Sequence, residues 1–230
     1  MKYEGKTKVV EIKEKEAIIS FKDDITAGDG AKHDVFAGKG SICAELTAMA
    51  MKYLNEKGVP THFLEFVPPN VLRALPLRMF PLEVVVRFIK AGSFLRRYGG
   101  IEGEVFKEPI VEFFVKDDER HDPMVCMDHL EVLNLATREQ GMEMKKIALE
   151  AGKHLKSFFE MAGFELWDIK FEFGLTTDGK VVLGDEVSPD TCRLRRKKDI
   201  YDKDVYRKDM GDPIARYKEV LEACRGIVSL

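Results

Sequence analysis

Residues 166–195 read LWDIKFEFGLTTDGKVVLGDEVSPDTCRLR, and they predict the β-hairpin around which the fold is organised. In the first half, apolar residues alternate with charged ones, as expected for a half-buried strand, and the apolar set is Trp167, Ile169, Phe171 and Phe173. Asp178-Gly179 predicts a two-residue type I′ turn, because both central positions of that turn need a positive φ. The second strand is then predicted at 181–187.

This register places two carboxylates opposite each other. A two-residue turn pairs Thr177 with Lys180, and counting back along both strands pairs Glu172 with Asp185. Two carboxylates at a cross-strand distance of about 5 Å repel each other. A divalent cation would remove that repulsion, because Mg²⁺ is usually bound by one or two carboxylates together with substrate phosphates. Glu172 and Asp185 are therefore candidate metal ligands.

Other features of the hairpin leave two interpretations open. Lys170 shares the charged face and is placed to meet the oxygens of a phosphate or carboxylate, whereas Leu183 and Val187 are apolar residues on that same face. A solvated hairpin face with exposed acids is the alternative. The polar groups that follow the strand, at 185–190 and at Arg193, favour a functional loop at the end of a rigid element.

Composition limits the classes of protein to consider. A chain of 230 residues, 45% of them hydrophobic, can form one domain or two small ones. A net charge of −3 provides no basic field for a nucleic acid. The N-terminus has no apolar leader and no stretch approaches 18 apolar residues, so we expect no membrane partner and a cytoplasmic location. The four cysteines are scattered without zinc spacing, which predicts reduced thiols.

Near the N-terminus, a Gly-Lys-x-Lys turn carries Lys6 and Lys8 just before a β-like run. Backbone N–H groups and two cations in such a turn can bind a polyphosphate. An ordinary surface loop is the alternative, and the sequence does not match a P-loop.

The rest of the chain predicts alternating strands and three helices. Residues 22–30 are rich in loop formers, and the predicted strands are 9–12, 17–21, 61–66, 71–75, 82–89 and 110–115. The helices are predicted after an N-cap at Ser41, after the capping box Thr137–Gln140, and from Asp212-Pro213 to about Arg225. Pro76 and Pro81 bracket a connector that predicts an N-terminal unit, 1–80, and a C-terminal unit, 81–230.

Two basic features need anionic partners. Arg87 lies within an apolar strand, where a cation needs either a structural carboxylate or a bound phosphate, and the sequence leaves both open. The basic run 193–198 is better explained as a local anion site or a solvated loop than as a nucleic-acid patch, because the chain as a whole is acidic.

Six separated motifs together resemble the SAICAR synthetase family. They are YEGKTK (3–8), ITAGDG (25–30), PLEVVVR with AGS (81–93), HDP (121–123), WDIKFEFG (167–174) and GDEVSPDTCR (184–193). The resemblance implies an α+β fold with a small antiparallel, kinase-like N-terminal lobe, a larger α+β lobe and ATP between them. It implies a ligase that joins the carboxylate of 5-amino-1-(5-phosphoribosyl)imidazole-4-carboxylate (CAIR) to the amine of L-aspartate, with ATP and Mg²⁺, and a homodimer.

The resemblance also implies roles for individual residues. On the nucleotide side, phosphates are assigned to Lys6 and Lys8, Mg²⁺ to Glu172 and Asp185, charge neutralisation to Lys170, and adenine to Met79 and Leu82. On the CAIR side, the phosphate is assigned to Arg87, Ser93 and Arg193, and the aminoimidazole to Asp122 and Asp29. Asp168 either orients Lys170 or accepts the amine proton of aspartate. Residues 203–207 are candidates for binding aspartate.

Two other functions are alternatives to a ligase. A kinase-like phosphotransferase would carry an HRD-like loop, which the sequence lacks. A regulatory nucleotide-binding module without catalysis would have lost lysines or paired acids, but these are all present.

Overall fold

The computed structural model describes residues 1–28, 30–228 and 230, and these contain two large antiparallel sheets, a small hairpin sheet and six α-helices. The strands are β1 (Lys2–Glu4), β2 (Lys8–Ile12), β3 (Ala17–Phe21), β4 (Asp24–Ala27), β5 (Lys32–Val35), β6 (Phe63–Val67), β7 (Val71–Ala74), β8 (Arg78–Met79), β9 (Leu82–Ile89), β10 (Val105–Val115), β11 (Met124–Val125), β12 (Glu165–Leu175), β13 (Val181–Gly184), β14 (Cys192–Arg196) and β15 (Asp199–Ile200). The helices are α1 (Lys39–Glu56), α2 (Ser93–Tyr98), α3 (Met127–Val132), α4 (Arg138–Met161), α5 (Asp204–Arg207) and α6 (Pro213–Arg225).

The first sheet has the order β1-β2-β3-β7-β6, and each strand is antiparallel to its neighbour. Its central strand β3 buries Ala17, Ile19 and Phe21, and the predicted strand at 17–21 is confirmed. Residues 22–30 differ from the prediction of a loop, because 24–27 pair with 32–35 as the hairpin β4–β5. Its strands are short and mostly polar, and they give little β signal in the sequence.

The second sheet is built on β12. Its order is β11-β10-β9-β12-β14-β15, and β8 and β13 also pair with β12. The N-terminal part of β12 lies between β9 and β14, and its C-terminal part lies between β8 and β13. All of these pairs are antiparallel, so the predicted α+β class is confirmed.

The hairpin β12–β13 has a register one residue different from the predicted one. Thr176 N donates to Lys180 O at 3.0 Å, so the loop has three residues, 177–179, with Gly179 at φ 81°. A three-residue loop with glycine in the left-handed region is a common hairpin type. Glu172 consequently pairs with Gly184, the strand ends there rather than at residue 187, and the predicted pairing of Glu172 with Asp185 is wrong.

The corrected register explains the two apolar residues that the prediction left on the polar face. Leu183 pairs with Phe173, and both are fully buried. Val187 lies beyond the strand and is buried in the core. A bulge also interrupts β12, where its pairing with β14 shifts between Leu166 and Asp168. Trp167 is therefore half-buried, and the buried position belongs to Leu166.

Helix α1 begins at Lys39, two residues before the predicted N-cap. Its N-cap is Gly38 at φ 85°, and the prediction of Ser41 as the cap is wrong. The carboxylate of Asp23 accepts hydrogen bonds from Gly38 N at 3.1 Å and Gly40 N at 2.8 Å. A side chain distant in sequence thus satisfies N–H groups that a local cap would satisfy.

The other two predicted helix starts are confirmed. Thr137 and Gln140 form a reciprocal capping box at the start of α4. Asp212 accepts a hydrogen bond from Ile214 N at 2.8 Å, and Pro213 is the first residue of α6. Both signals depend on residues within one turn of the helix, which explains why the sequence predicts them.

One hydrophobic core joins the two large sheets. It includes Leu72 of the first sheet, Phe171 of the second, Met49 of α1 and Phe158 of α4. Helix α4 packs on β9, β12 and β13, while α1 contacts β3, β6 and β7 as well as α4 and α6. None of the helices in the described part of the chain has the length and apolarity needed to span a membrane.

Candidate active site

Lys170 and Glu172 form the centre of a charged cluster on β12. The Lys170 ammonium lies 2.7 Å from Glu172 Oε1 and 3.0 Å from Glu83 Oε1 of β9, and Lys116 Nζ lies 2.7 Å from Glu172 Oε2. Burial alone would raise the pKa of Glu172, but Lys170 and Lys116 lower it to about 2. Burial likewise would lower the pKa of Lys170, but Glu172, Glu83 and Asp185 raise it well above its usual value. Both groups are therefore charged at neutral pH.

Asp185 directly follows β13 and has a φ of 57°, in the left-handed region. Its carboxylate pairs with Lys8, the second lysine of the N-terminal turn. Lys8 Nζ lies 2.5 Å from Asp185 Oδ1 and also pairs with Glu186. The two carboxylates outweigh burial and raise the pKa of Lys8. Lys6 differs, because about half of its side chain is exposed and its ammonium pairs with Asp118 at 2.6 Å. The structure thus brings Lys8 to Asp185, one of the two predicted metal ligands, and leaves Lys6 on the surface.

The predicted metal ligands suit a hard divalent cation. Glu172 and Asp185 present carboxylate oxygens, which Mg²⁺ prefers. Lys170 pairs with Glu172 at 2.7 Å and Lys8 pairs with Asp185 at 2.5 Å, so each carboxylate already has a cation beside it. Lysines therefore neutralise both carboxylates in this structure, a role that the sequence analysis gave to a divalent cation.

A second cluster surrounds Arg87. Its guanidinium donates to Glu112 Oε2 at 2.7 Å, to Asp168 Oδ2 at 2.7 Å and to Ser93 Oγ at 3.0 Å. Arg87 is only 2% exposed, so these carboxylates satisfy the buried cation. The structural carboxylate considered from the sequence is thus present, as Glu112 and Asp168. Ser93 is the first residue of the short helix α2, and the residue before it, Gly92, has a φ of 55°, a value that glycine adopts without strain.

Asp168 lies between two arginines because β12 lies between β9 and β14. Its direct cross-strand partners are Arg87 and Arg193, and Arg193 Nη1 donates to Asp168 Oδ2 at 2.9 Å. Arg193 Nε also donates to Asp204 at 3.0 Å. Lys170 is held by Glu83 and Glu172 instead, so the option in which Asp168 orients Lys170 is wrong.

The remaining predicted residues divide into exposed, buried and undescribed ones. Met79 is 41% exposed and its sulfur lies over Gly174 and Gly184, where a Cβ atom would crowd it. Leu82 has a fully buried side chain, so a contact with adenine would involve its backbone, and the assignment of Leu82 stays a prediction. Asp122 accepts a hydrogen bond from Asp117 N at 2.8 Å and stabilises its own loop. Asp29 lies outside the described residues.

Sequence reasoning missed the partners of the central residues. Glu83 and Lys116 hold Lys170 and Glu172, Glu112 holds Arg87, and Asp204 holds Arg193. Glu83, Val85 and Arg87 occupy alternate positions of β9 and share one face. This spacing would point to Glu83 as a partner of Lys170 once the pairing of β9 with β12 is known. That pairing joins segments about 80 residues apart in the chain, and no local pattern predicts it.

The two clusters are neighbours on one strand. Asp168, Lys170 and Glu172 occupy alternate positions of β12 and share a face. Two residues of a strand span roughly 7 Å, so the arginine cluster and the lysine cluster lie side by side. The arrangement can bind one anionic group at the arginines and neutralise a second group at the lysines.

Known proteins resemble this chain over its whole length. A family model described as SAICAR synthetase matches residues 1–224. The phosphoribosylaminoimidazole-succinocarboxamide synthase of Thermotoga petrophila is 66% identical over 229 residues and covers 100% of each chain. A solved SAICAR synthetase in complex with ADP is 42% identical, with a TM-score of 0.95 and 100% of each chain covered. The SAICAR synthetase of Pyrococcus horikoshii is also 42% identical, with a TM-score of 0.90, 97% of this chain and 99% of that chain covered.

Proposed function

The chain belongs to the SAICAR synthetase family, and from that premise we propose that it joins the carboxylate of CAIR to the amine of L-aspartate while ATP becomes ADP and phosphate. The observation that carries the proposal is the adjacency of the two clusters on β12, one rich in lysines and acids and one rich in arginines. The ADP bound to one solved relative supports a nucleotide substrate.

A carboxylate must be activated before an amine can attack it. We propose that a CAIR carboxylate oxygen attacks the γ-phosphorus of ATP, so that a P–O bond forms to the carboxylate and the bond to ADP breaks. The aspartate amine then attacks the acyl carbon, phosphate leaves with the acyl oxygen, and the amine loses a proton. Phosphoryl transfer depends mainly on positioning and charge neutralisation, which is what a lysine-rich cluster supplies.

On the nucleotide side, Lys8 and the exposed Lys6 are proposed to bind phosphates, and Lys170 is proposed to neutralise charge on the transferring group. Glu172 and Asp185 would hold Mg²⁺, which when bound neutralises phosphate charge. Met79 offers an exposed apolar side chain for adenine at the strand that leads into β9. The nucleotide would thus lie between the predicted units 1–80 and 81–230.

On the CAIR side, Arg193 and Ser93 are proposed to bind the ribose phosphate. Arg193 is anchored through Nε and Nη1, and its guanidinium is planar and suited to phosphate geometry. Arg87 would contribute mainly by charge, since its nitrogens already donate to Glu112, Asp168 and Ser93. Asp168 would hold the two guanidinium groups in place, and its part in accepting the amine proton stays a prediction, as do the contacts of Asp122 and Asp29 with the imidazole.

Lys203 and Arg207 are proposed to bind the carboxylates of aspartate. Lys203 forms no ion pair with any described residue, and burial lowers the pKa of its ammonium. Arg207 pairs with Asp204 through one nitrogen at 2.9 Å and is exposed otherwise. A homodimer and a cytoplasmic location stay predictions from the family.

An ADP-release assay tests the function. We expect ADP formation with CAIR, ATP and Mg²⁺ to depend on L-aspartate. For each ADP, one molecule of the amide product that contains CAIR and aspartate should form. ADP formed with CAIR replaced by an alcohol substrate would favour a kinase-like phosphotransferase. Product with glutamate or alanine at the same rate would contradict an aspartate site.

A further inference from the structure

Glu186 lies at the end of β13 beside Asp185, but it is bound in a different way. It is 3% exposed, its Oε2 accepts from the Lys8 ammonium, and its Oε1 accepts from Ser188 Oγ at 2.6 Å. The Asp185 side chain is 17% exposed. Of the two carboxylates on Lys8, Glu186 is therefore the more deeply buried and has its second oxygen fixed.

Ser188 ties Glu186 to a rigid interior network. Its hydroxyl oxygen accepts from Asp190 N at 3.1 Å while its proton goes to Glu186. Asp190 in turn accepts from Tyr217 OH at 2.7 Å and lies 2.5 Å from the ammonium of Lys39, which is completely buried in α1. This network fixes the position of Glu186 from the side opposite Lys8.

The network is not a metal centre. Ligand atoms of Cys43, Glu186 and Asp190 lie within 4.8 Å of one another. Lys39 already supplies a cation at Asp190, and burial raises the pKa of the Cys43 thiol to about 12, so the thiol is protonated. A thiolate ligand is what a soft metal ion would need here.

We propose that Glu186 is a positioning residue that holds the Lys8 ammonium for the nucleotide phosphates. The proposal rests on the proposed function. Asp185 is assigned two partners, the Lys8 ammonium and a divalent cation. When Asp185 binds that cation, Glu186 is the one carboxylate that remains for Lys8. Ser188 fixes the second oxygen of Glu186, so Glu186 would keep the Lys8 ammonium in place while Asp185 binds that cation.

The proposal and plain electrostatics predict opposite outcomes for Glu186→Gln. Removing a negative charge beside an anionic ligand should by itself tighten binding. Loss of a fixed Lys8 should weaken it, because a charge-assisted contact to a phosphate is lost. The sign of the change in ADP affinity therefore separates a positioning residue from a nearby charge.

Isothermal titration with ADP at saturating Mg²⁺ measures this under the condition in which the cation engages Asp185. We expect Glu186→Gln to weaken ADP binding about tenfold or more and Ser188→Ala to weaken it less. CAIR affinity should stay within about twofold of wild type, since a general loss of structure would reduce both. Glu4→Gln is a matched control, because Glu4 forms an exposed ion pair with Lys22 in the same N-terminal region.

A double-mutant cycle with Lys8→Met completes the test. If Glu186 acts through Lys8, Glu186→Gln adds no further loss of ADP affinity in the Lys8→Met background. Additive losses, or unchanged or tighter ADP binding in Glu186→Gln, would overturn the proposal. Failure of the wild-type protein to bind ADP would instead contradict the proposed function, so the two failures are distinguishable. If Glu186→Gln does not fold, Ser188→Ala enters the same cycle.

Discussion

Lys170 and Glu172 lie on the same face of β12, and the ammonium of the first donates to the carboxylate of the second at 2.7 Å. Each also has a partner from another strand or loop, so neither depends on the other alone. The pair is therefore held in place before any ligand arrives, as a preorganised site requires.

Lys170→Ala should reduce ADP release by about 100-fold or more while the fold stays intact. Glu172 keeps Lys116 as a partner, so we expect little change in melting temperature. Coupled ADP-release kinetics and thermal melts measure the two effects. Lys180→Ala changes an exposed lysine next to the loop of the same hairpin and is the control. Activity of Lys170→Ala within tenfold of wild type would remove Lys170 from the catalytic residues.

Mg²⁺ with ADP should raise the melting temperature more than ADP with EDTA. Glu172 has a pKa of about 2 and is ionised at neutral pH, so its charge is available to a metal ion. Differential scanning fluorimetry measures the shift. Glu172→Gln together with Asp185→Asn should abolish the difference, and equal shifts for the wild-type protein would argue against the metal pair.

Arg193→Ala should weaken CAIR binding by about 10- to 100-fold and ATP binding by about twofold or less. Its guanidinium is fixed by Asp168 and Asp204 and lies in the arginine cluster rather than near Lys8. Titration calorimetry with each substrate separates the effects. Lys198→Ala changes an exposed cation of the same basic run and serves as the comparison; a uniform loss for both substrates would contradict the phosphate assignment.

Asp23→Ala should lower the free energy of unfolding by about 1–2 kcal/mol, because it removes the acceptors that cap α1. Both oxygens of Asp23 accept from N–H groups of that helix start. Ser41→Ala should change stability by less than about 0.5 kcal/mol, because Ser41 lies inside the helix and is not its cap. Urea unfolding of both variants measures the difference, and equal losses would contradict the assignment of Asp23.

Acidification should destabilise the protein through His62. Its ring is 3% exposed, and its Nε2 has no hydrogen-bond partner among residues 1–28, 30–228 and 230. Burial lowers the pKa of His62 from 6.5 to about 4. The unfolded chain binds a proton between these values and the folded chain does not, so stability falls as pH falls from 6.5 towards 4.

The size of this effect is bounded by the pKa shift. The pKa shift from 6.5 to about 4 corresponds to at most about 3.5 kcal/mol, at about 1.4 kcal/mol per unit. Urea midpoints measured across this pH range should show a weaker dependence in His62→Gln. The stabilisation that comes from ionised Glu172 is separate from this effect. It is lost only as the pH falls below about 4.5, because the pKa of Glu172 is lowered from 4.5 to about 2 in the folded chain. Parallel pH profiles for wild type and His62→Gln would refute the assignment.

The sequence by itself determined the elements whose signals are local. The strand at 17–21, the alternation of β12 from Ile169 to Phe173, the capping box of α4 and the Asp-Pro start of α6 match the structure. All four signals depend on neighbouring residues. The six motifs likewise identified the family. Tertiary structure alone decided the hairpin register, the capping of α1 by Asp23, and the position of Asp168 between two arginines. These features depend on which distant segments pack together, and the free energy of that packing is not contained in any local window of the chain.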